Sequence, residues 1–247
     1  MSKSIIIIPS RLAATRLPNK PLIKIRNKSL IMHVYEKALM SKVGQVYVAT
    51  CDNEIANEVK NSGGNFIMTD KSHTTGTDRV YEATKRLDLK DVDKIINVQG
   101  DEPMIDSEDI KNLNRLSEKF NTNISTLAFD IKSTNEYQNE NVVKVSTKYK
   151  ISLTSTQKAI NFHRIVNSDS KNYIYQHLGI YLYKLSALKK FVKFKKTQNE
   201  NKLKLEQLRA LDNRMEIDVV LAKSYSRGID TKKDLDEYMN LLNKKYK

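Results

Sequence analysis

With 247 residues, 39% of them hydrophobic, the chain is long enough to bury one sizeable core unaided, and its single cysteine excludes a disulfide framework and any Cys-cluster metal site. No apolar run approaches the roughly 18 residues of a membrane span, and the longest, Ile5 to Ile8, is too short for a signal-peptide core, so a cytoplasmic chain with no membrane partner is expected. The net charge of +14 comes from 43 basic residues, of which 33 are lysines spread over nearly every segment, a pattern of solvated helix faces that argues against a nucleic-acid partner.

Ser4 to Ile8 reads as a strand buried on both faces, because consecutive β-branched residues suit a parallel strand covered by helices. Gln45 to Ala49, Asn65 to Met68 and Lys94 to Val98 repeat the pattern, and helical spacing fills Leu30 to Met40, Asn53 to Ser62 and Thr77 to Leu87. Ser107 to Phe120 is the next helix, with Ser107 as its expected N-cap. Cys51, between the second strand and its helix, reads as a buried structural thiol. After Asn121 the pattern changes. Ile124 to Phe129, Val142 to Ser146, Ile151 to Thr154 and His177 to Lys184 read as strands with no helix between each pair. Glu200 to Leu211 looks helical and Glu216 to Ala222 strand-like, and Thr231 to Leu242 closes the chain as a helix opened by a Thr231/Asp234 capping box. The fold class expected is α/β: a doubly wound, mostly parallel sheet with a smaller antiparallel or mixed lobe. The whole of 1–247 is read as one domain in three parts, 1–121, 122–200 and a closing segment 201–247.

Pro9, Pro18 and Pro21 are placed in the loop after the first strand and Pro103 in the loop after the fourth, where open α/β sheets hold their ligands. The first loop also carries Ser10, Arg11, Thr15, Arg16 and Lys20, a set able to wrap a triphosphate: paired guanidinium donors, a compact ammonium and hydroxyls. The same cations would stabilise a departing pyrophosphate. The seven glycines spell neither a P-loop nor a G-x-G-x-x-G dinucleotide fingerprint, and the four histidines have no zinc spacing. Asp101, directly after Gly100, is a candidate magnesium ligand, because that ion takes few protein carboxylates alongside phosphate oxygens and water. Asp230, beside Gly228, is a second candidate, with a turn or capping role as its alternative. His73 to Arg79 is a polar turn opening a helix, able to receive a base, ribose or anion, with N-capping by Thr77 as the competing explanation.

In order along the chain, Ile-Ile-Pro-Ser-Arg at 7–11, Thr-Arg-Leu-Pro-Asn-Lys-Pro at 15–21, Val48-Ala49-Thr50 with Asp52, Gly76 to Arg79, Asn97 to Met104, Val143-Lys144-Val145, His177 to Tyr181, Leu205 to Arg209 and Gly228 with Asp230-Thr231 resemble the 3-deoxy-manno-octulosonate cytidylyltransferase (CMP-KDO synthetase) family over nearly the whole chain. The resemblance implies a cytoplasmic nucleotidyltransferase that moves CMP from CTP to the anomeric hydroxyl of 3-deoxy-D-manno-octulosonate (KDO), a lipopolysaccharide precursor, and releases pyrophosphate. It further implies magnesium as cofactor, CTP and a 2-keto sugar acid as partners, and a homodimer. Arg11, Lys20 and Asp101 would be catalytic, with Asp101 and Asp230 on the metal. Pro9, Ser10, Arg11, Lys20, Ala49, Asp52, Gly76 and Thr77 would bind the nucleotide, and Arg79, Gln99, His177, Tyr181, Glu206 and Gln207 the sugar acid.

One segment departs from the family: where members carry Tyr-Phe-Ser-Arg-x-x-Ile-Pro, this chain has Thr154 to Asn161, without the arginine and the proline. Lys158 is the candidate for replacing that charge. The alternative acceptors are 8-amino-KDO or a sialic-type acid. The alternatives of another class are a basic nucleic-acid-binding protein and a regulatory relative without catalysis, for which Lys20 and Asp101 would be expected to have changed; both are present.

Overall fold

Four consecutive isoleucines need apolar cover on two sides, and meeting that need organises the molecule. The computed structural model describes residues 3–13, 16–87, 92–166 and 171–245, which leaves Thr15 outside the described residues. The chain begins with β1 (Lys3–Ser10), followed by a 3-10 turn at Lys20–Leu22 and a hairpin of β2 (Lys24–Ile25) and β3 (Lys28–Ser29). Next come α1 (Leu30–Met40), β4 (Val46–Thr50), α2 (Asn53–Asn61), β5 (Phe66–Met68), α3 (Gly76–Arg86), β6 (Val92–Asn97), α4 (Ser107–Lys119) and β7 (Ile124–Asp130). The second half holds β8 (Lys144–Thr147), β9 (Thr156–His163), β10 (Tyr173–Lys184), α5 (Leu185–Phe191), α6 (Gln198–Leu203), α7 (Leu208–Asp212), β11 (Asp218–Leu221) and α8 (Lys232–Lys245).

The main sheet runs β5-β4-β1-β6-β10-β7-β11-β9-β8. Its first four strands are parallel, and β10 enters antiparallel to β6. Because β10 also pairs with β8, the strands β10, β7, β11, β9 and β8 close into a ring. Ile6 and Ile8 pack on one face with residues of α1, α2 and α4, whereas Ile5 and Ile7 pack on the other with residues of α3, α5 and α7. A smaller cluster seats α8, through Leu235 and Tyr238, on Ile25, Leu30 and Ile229. The mixed α/β class expected from the sequence is therefore the class observed. No helix among the described residues is long and apolar enough to cross a membrane.

Several local expectations need correction. Pro9 lies inside β1 rather than in the loop after it. Residues 151–154 form no strand; the strand starts at Thr156, and its polar sequence is held extended by pairing with β11 on one side and β8 on the other. The helix expected over 200–211 is two helices, broken where Lys204 adopts left-handed φ 54°. Asp106, not Ser107, caps α4, its carboxylate accepting from Glu108 N at 2.9 Å. Cys51 is half-buried rather than buried. The Thr231/Asp234 capping box forms, with Asp234 N on Thr231 Oγ1 at 3.2 Å and Thr231 N on Asp234 Oδ2 at 2.8 Å.

Candidate active site

The carboxyl ends of β1 and β6 meet at Gly100, where an added Cβ would stand 3.0 Å from the Pro9 carbonyl oxygen, a tight contact that glycine avoids as the two strands' exits approach. A cavity of about 290 Å³ opens there. Pro9, Ser10 and Arg11 form one wall and Gln99, Gly100 and Asp101 another; Lys20 and the His73–Gly76 turn complete it. Ser10 Oγ is buried without a hydrogen-bond partner, a polar atom that a ligand oxygen would satisfy. Arg11 is exposed and makes no ion pair among the described residues.

At the floor of this cavity Lys20 Nζ donates to Asp101 Oδ2 at 2.7 Å and to Asp230 Oδ1 at 3.0 Å. Burial works against the ammonium's charge, but the two carboxylates outweigh it and raise the lysine pKa above its ordinary value. Arg16 reaches the other oxygen of Asp230 at 3.0 Å. Ile229 N donates to Asp101 O at 2.8 Å and locks the two acidic turns together. Residues far apart in sequence thus place two carboxylates around one cationic position, a geometry that also suits a divalent ion with few protein ligands.

A larger cleft of about 620 Å³ adjoins the cavity and shares Gln99 and Asp101 with it. His177, Tyr181, Glu206 and Gln207 line this cleft. Gln99 Nε2 donates to Asn97 Oδ1 and to Gly179 O, both at 3.2 Å, which fixes the amide at the junction. Glu206 accepts from Thr77 Oγ1 at 2.8 Å and from Arg209 at 3.3 Å; burial nevertheless raises its pKa. Glu102, also on the cleft, is pushed up to about 7, first by burial and then by Asp101, against the bond it accepts from Ser226 Oγ at 2.8 Å.

His177 sits on β10 just before a bulge at Gly179–Ile180, its ring 5.0 Å from Phe162 and 5.4 Å from Tyr181. Thr126 Oγ1 lies 2.8 Å from Ile180 O and 2.9 Å from His177 Nε2. Its single proton goes to that carbonyl, so the ring's Nε2–H donates to Thr126. Burial lowers the His177 pKa to about 3, leaving a neutral ring. Since the folded pKa lies below the unfolded value of 6.5, the unfolded chain binds the extra proton between those two values, and stability is lost as pH falls through that window. The loss reaches up to about 1.4 kcal/mol per pH unit. Replacing His177 with Gln is expected to flatten the acid limb, measured as urea midpoints at pH 7, 5 and 4; parallel curves for the two proteins would refute the neutral-ring assignment.

Not every expected site residue reaches these cavities. Ala49 is buried within β4, and Asp52 pins the first loop by accepting from Leu12 N at 2.8 Å. Thr77 does not cap α3; Thr75 does, while the Thr77 hydroxyl is spent on Glu206. Arg79, expected against the sugar acid, lines the first cavity instead, with its guanidinium held by Thr69 Oγ1 and Asp70 O. Lys158 does not supply a groove charge: it pairs with Asp218 at 2.8 Å and Glu216 at 2.9 Å, and none of residues 154–161 lines either cavity. The cations on the cleft are Arg16, Arg164, Lys204, Arg227 and Lys233. Apart from Arg16, sequence reasoning gave none of them a site role. It also passed over Glu102, although that residue adjoins Asp101.

The four parallel strands β5, β4, β1 and β6 within a mixed sheet carry a basic, acid-floored cavity at their carboxyl ends that opens onto a second cleft. Together with the family and relatives the chain matches, this arrangement defines the class as a nucleotide-diphospho-sugar-transferase-like α/β enzyme, a nucleotidyltransferase. The cytidylyltransferase family model matches residues 5–217. A 3-deoxy-manno-octulosonate cytidylyltransferase of Brucella ovis is 40% identical over 235 residues, 95% of this chain and 93% of that one. One from Thermodesulfovibrio yellowstonii is 41% identical over 250 residues, 97% of this chain and 98% of that one. The structure of a CMP:2-keto-3-deoxy-manno-octonic acid synthetase complexed with CTP superposes with a TM-score of 0.88 at 33% identity, covering 99% and 100% of the two chains. Apo UDP-glucose pyrophosphorylase, at TM-score 0.71 and 13% identity, shares the fold over the full length of both chains. The chain belongs to the cytidylyltransferase family.

Proposed function

We propose that this enzyme transfers CMP from CTP to the anomeric hydroxyl of KDO and releases pyrophosphate. The observation that carries the proposal is the junction of two cavities at Gln99 and Asp101, which would bring a nucleotide in one within reach of an acceptor in the other. The named relatives at 40% identity and more support KDO over a sialic-type acid.

In the proposed reaction the acceptor oxygen attacks the α-phosphorus, the bond from that phosphorus to the bridging oxygen breaks, and one hydroxyl proton is released. Arg11, Lys20 and the unpartnered Ser10 hydroxyl would hold the triphosphate, with the two cations meeting the charge that grows on pyrophosphate. Pro9 and Gly76 would flank the nucleotide, and Gln99, His177, Tyr181, Glu206 and Gln207 would orient the acid. Asp101 and Asp230 would hold magnesium, which when bound would supply charge neutralisation for the triphosphate. A site of two carboxylates suits that ion, which keeps water and phosphate ligands. The chain is also proposed to work as a homodimer in the cytoplasm: exposed Tyr149, Leu153, Ile160, Ile165 and Tyr173 all lie on or beside β8, β9 and β10. Sedimentation at the mass of one chain would remove that part.

Pyrophosphate release tests the reaction, with CTP and magnesium held constant and KDO, 8-amino-KDO and a sialic acid offered separately. Turnover is expected with KDO and at least tenfold weaker with the other two. Preference for another acid would overturn the choice of acceptor, and CTP binding without turnover of any acid would leave only the nucleotide half.

A further inference from the structure

Lys144 has no role in the reaction above, yet its side chain is fully buried, at 0% exposure. An ammonium in that position must be hydrogen-bonded. Both its partners are carbonyls, Asn139 O at 2.7 Å and Arg164 O at 2.6 Å. Arg164 repeats the pattern one step further out: Nε donates to Leu203 O at 2.8 Å, Nη1 to Glu140 O at 2.9 Å and Nη2 to Lys204 O at 3.3 Å. Among the described residues neither cation has a carboxylate within ion-pair distance. Burial depresses the Lys144 pKa and the nearby Arg164 charge adds to the effect, although Glu136 and Glu140 act at longer range in its favour.

The segments joined in this way are one wall of the acceptor cleft, since Asn139, Arg164 and Lys204 all line it. Lys204 holds the left-handed φ of 54° that ends α6 and splits the expected 200–211 helix, a conformation that is sterically costly for an L-residue. Arg164 grips the carbonyls on both sides of that break, and two residues later the chain presents Glu206 and Gln207 to the cleft. A guanidinium with five N–H donors can hold these three carbonyls and still keep two donors free.

We infer that Lys144 and Arg164 form a two-cation clasp that positions the Glu206–Gln207 wall of the acceptor cleft, and that the acceptor's carboxylate completes the charge this clasp leaves unpaired. The second half rests on the sugar-acid reading; the first does not.

Hydrogen exchange and steady-state kinetics on the full chain separate the two. In Arg164→Gln, amides of 203–209 are expected to exchange at least tenfold faster than in the parent protein. The KM for the sugar acid should rise at least tenfold and the Kd for CTP should stay within twofold. Lys144→Met should show the same exchange signature; if it does not fold, Arg164→Gln decides alone. Arg164→Lys keeps the charge and loses the fork, so faster exchange should persist while much of the acceptor KM is recovered. Unchanged exchange at 203–209 in Arg164→Gln overturns the clasp, and a CTP Kd that moves as far as the acceptor KM overturns its selectivity for the acceptor side. No recovery in Arg164→Lys overturns the charge match. Should the parent protein turn over no sugar acid at all, the proposed reaction fails while the exchange result still judges the clasp.

Discussion

Asp101→Asn is expected to lower turnover by roughly a hundredfold to a thousandfold, by analogy with losses of about 10² to 10³ on removing one preorganised electrostatic group, while the thermal midpoint moves by only a few degrees. The asymmetry follows from where Asp101 sits. Its side chain is one-third exposed, at 33%, so the ion pair with Lys20 contributes little to folding after solvent screening, and Lys20 keeps Asp230 as a partner in the variant. Asparagine preserves the shape and one oxygen acceptor but removes the charge. In function, by contrast, Asp101 is on the boundary shared by the two cavities, where the acceptor and the α-phosphate are proposed to meet. Initial rates of pyrophosphate release at saturating CTP, with a calorimetric scan of the same preparation, measure both quantities. Turnover within tenfold of the parent would remove Asp101 from the reaction; a midpoint fall of more than about 10 °C would show that the residue holds the fold.

How much of this was visible in the sequence depended on whether local residues carried the signal. The parallel half was legible because Ile5 to Ile8 and its echoes are buried on both faces and so run continuously apolar, and because α1 to α4 carry helical stripes between them. Lys20, Asp101 and Asp230 were marked by the prolines and glycines beside them. That one ammonium touches both carboxylates is a contact across 81 and 210 residues, which no local pattern encodes. The strand Thr156–His163 was missed for a related reason: its residues alternate weakly, and its two partners, not its own propensities, hold it extended. Arg164 and Lys144 were hidden because their partners are carbonyl oxygens, which every residue possesses. Lys158 misled in the opposite sense. A cation near a departure from the family pattern invites a substrate role, but Asp218 and Glu216 already neutralise it.

Arg209→Leu is expected to destabilise the protein by about 3–5 kcal/mol, a fall of about 6–20 °C in thermal midpoint for a domain of this size. The arginine side chain is 3% exposed and its partner Glu200 is 7% exposed. Glu200 accepts from both Nε and Nη2 of Arg209 and is also the acid of the capping box that opens α6 with Thr197. Burial opposes the guanidinium's charge, but Glu200 and Glu206 outweigh it and raise its pKa. Removing the arginine therefore strands a buried carboxylate and also strips Phe191 of the cation 4.8 Å above its ring. If the stranded charge is the main cost, Arg209→Leu combined with Glu200→Leu should be more stable than Arg209→Leu alone, because the pair's net contribution is small once both desolvation penalties are gone. Urea midpoints of the two single variants and the double variant form the cycle that measures this. A single-variant loss near 1 kcal/mol, or a double variant no better than the single, would place the cost in lost packing instead. The consequence reaches the site because Arg209 is also among the groups that lower the Glu206 pKa against the larger upward effect of burial. Without Arg209 the Glu206 carboxyl takes up a proton at higher pH, so an acceptor-binding pH profile that depends on Glu206 should be displaced to higher pH in Arg209→Leu, a displacement that lost packing alone would not produce.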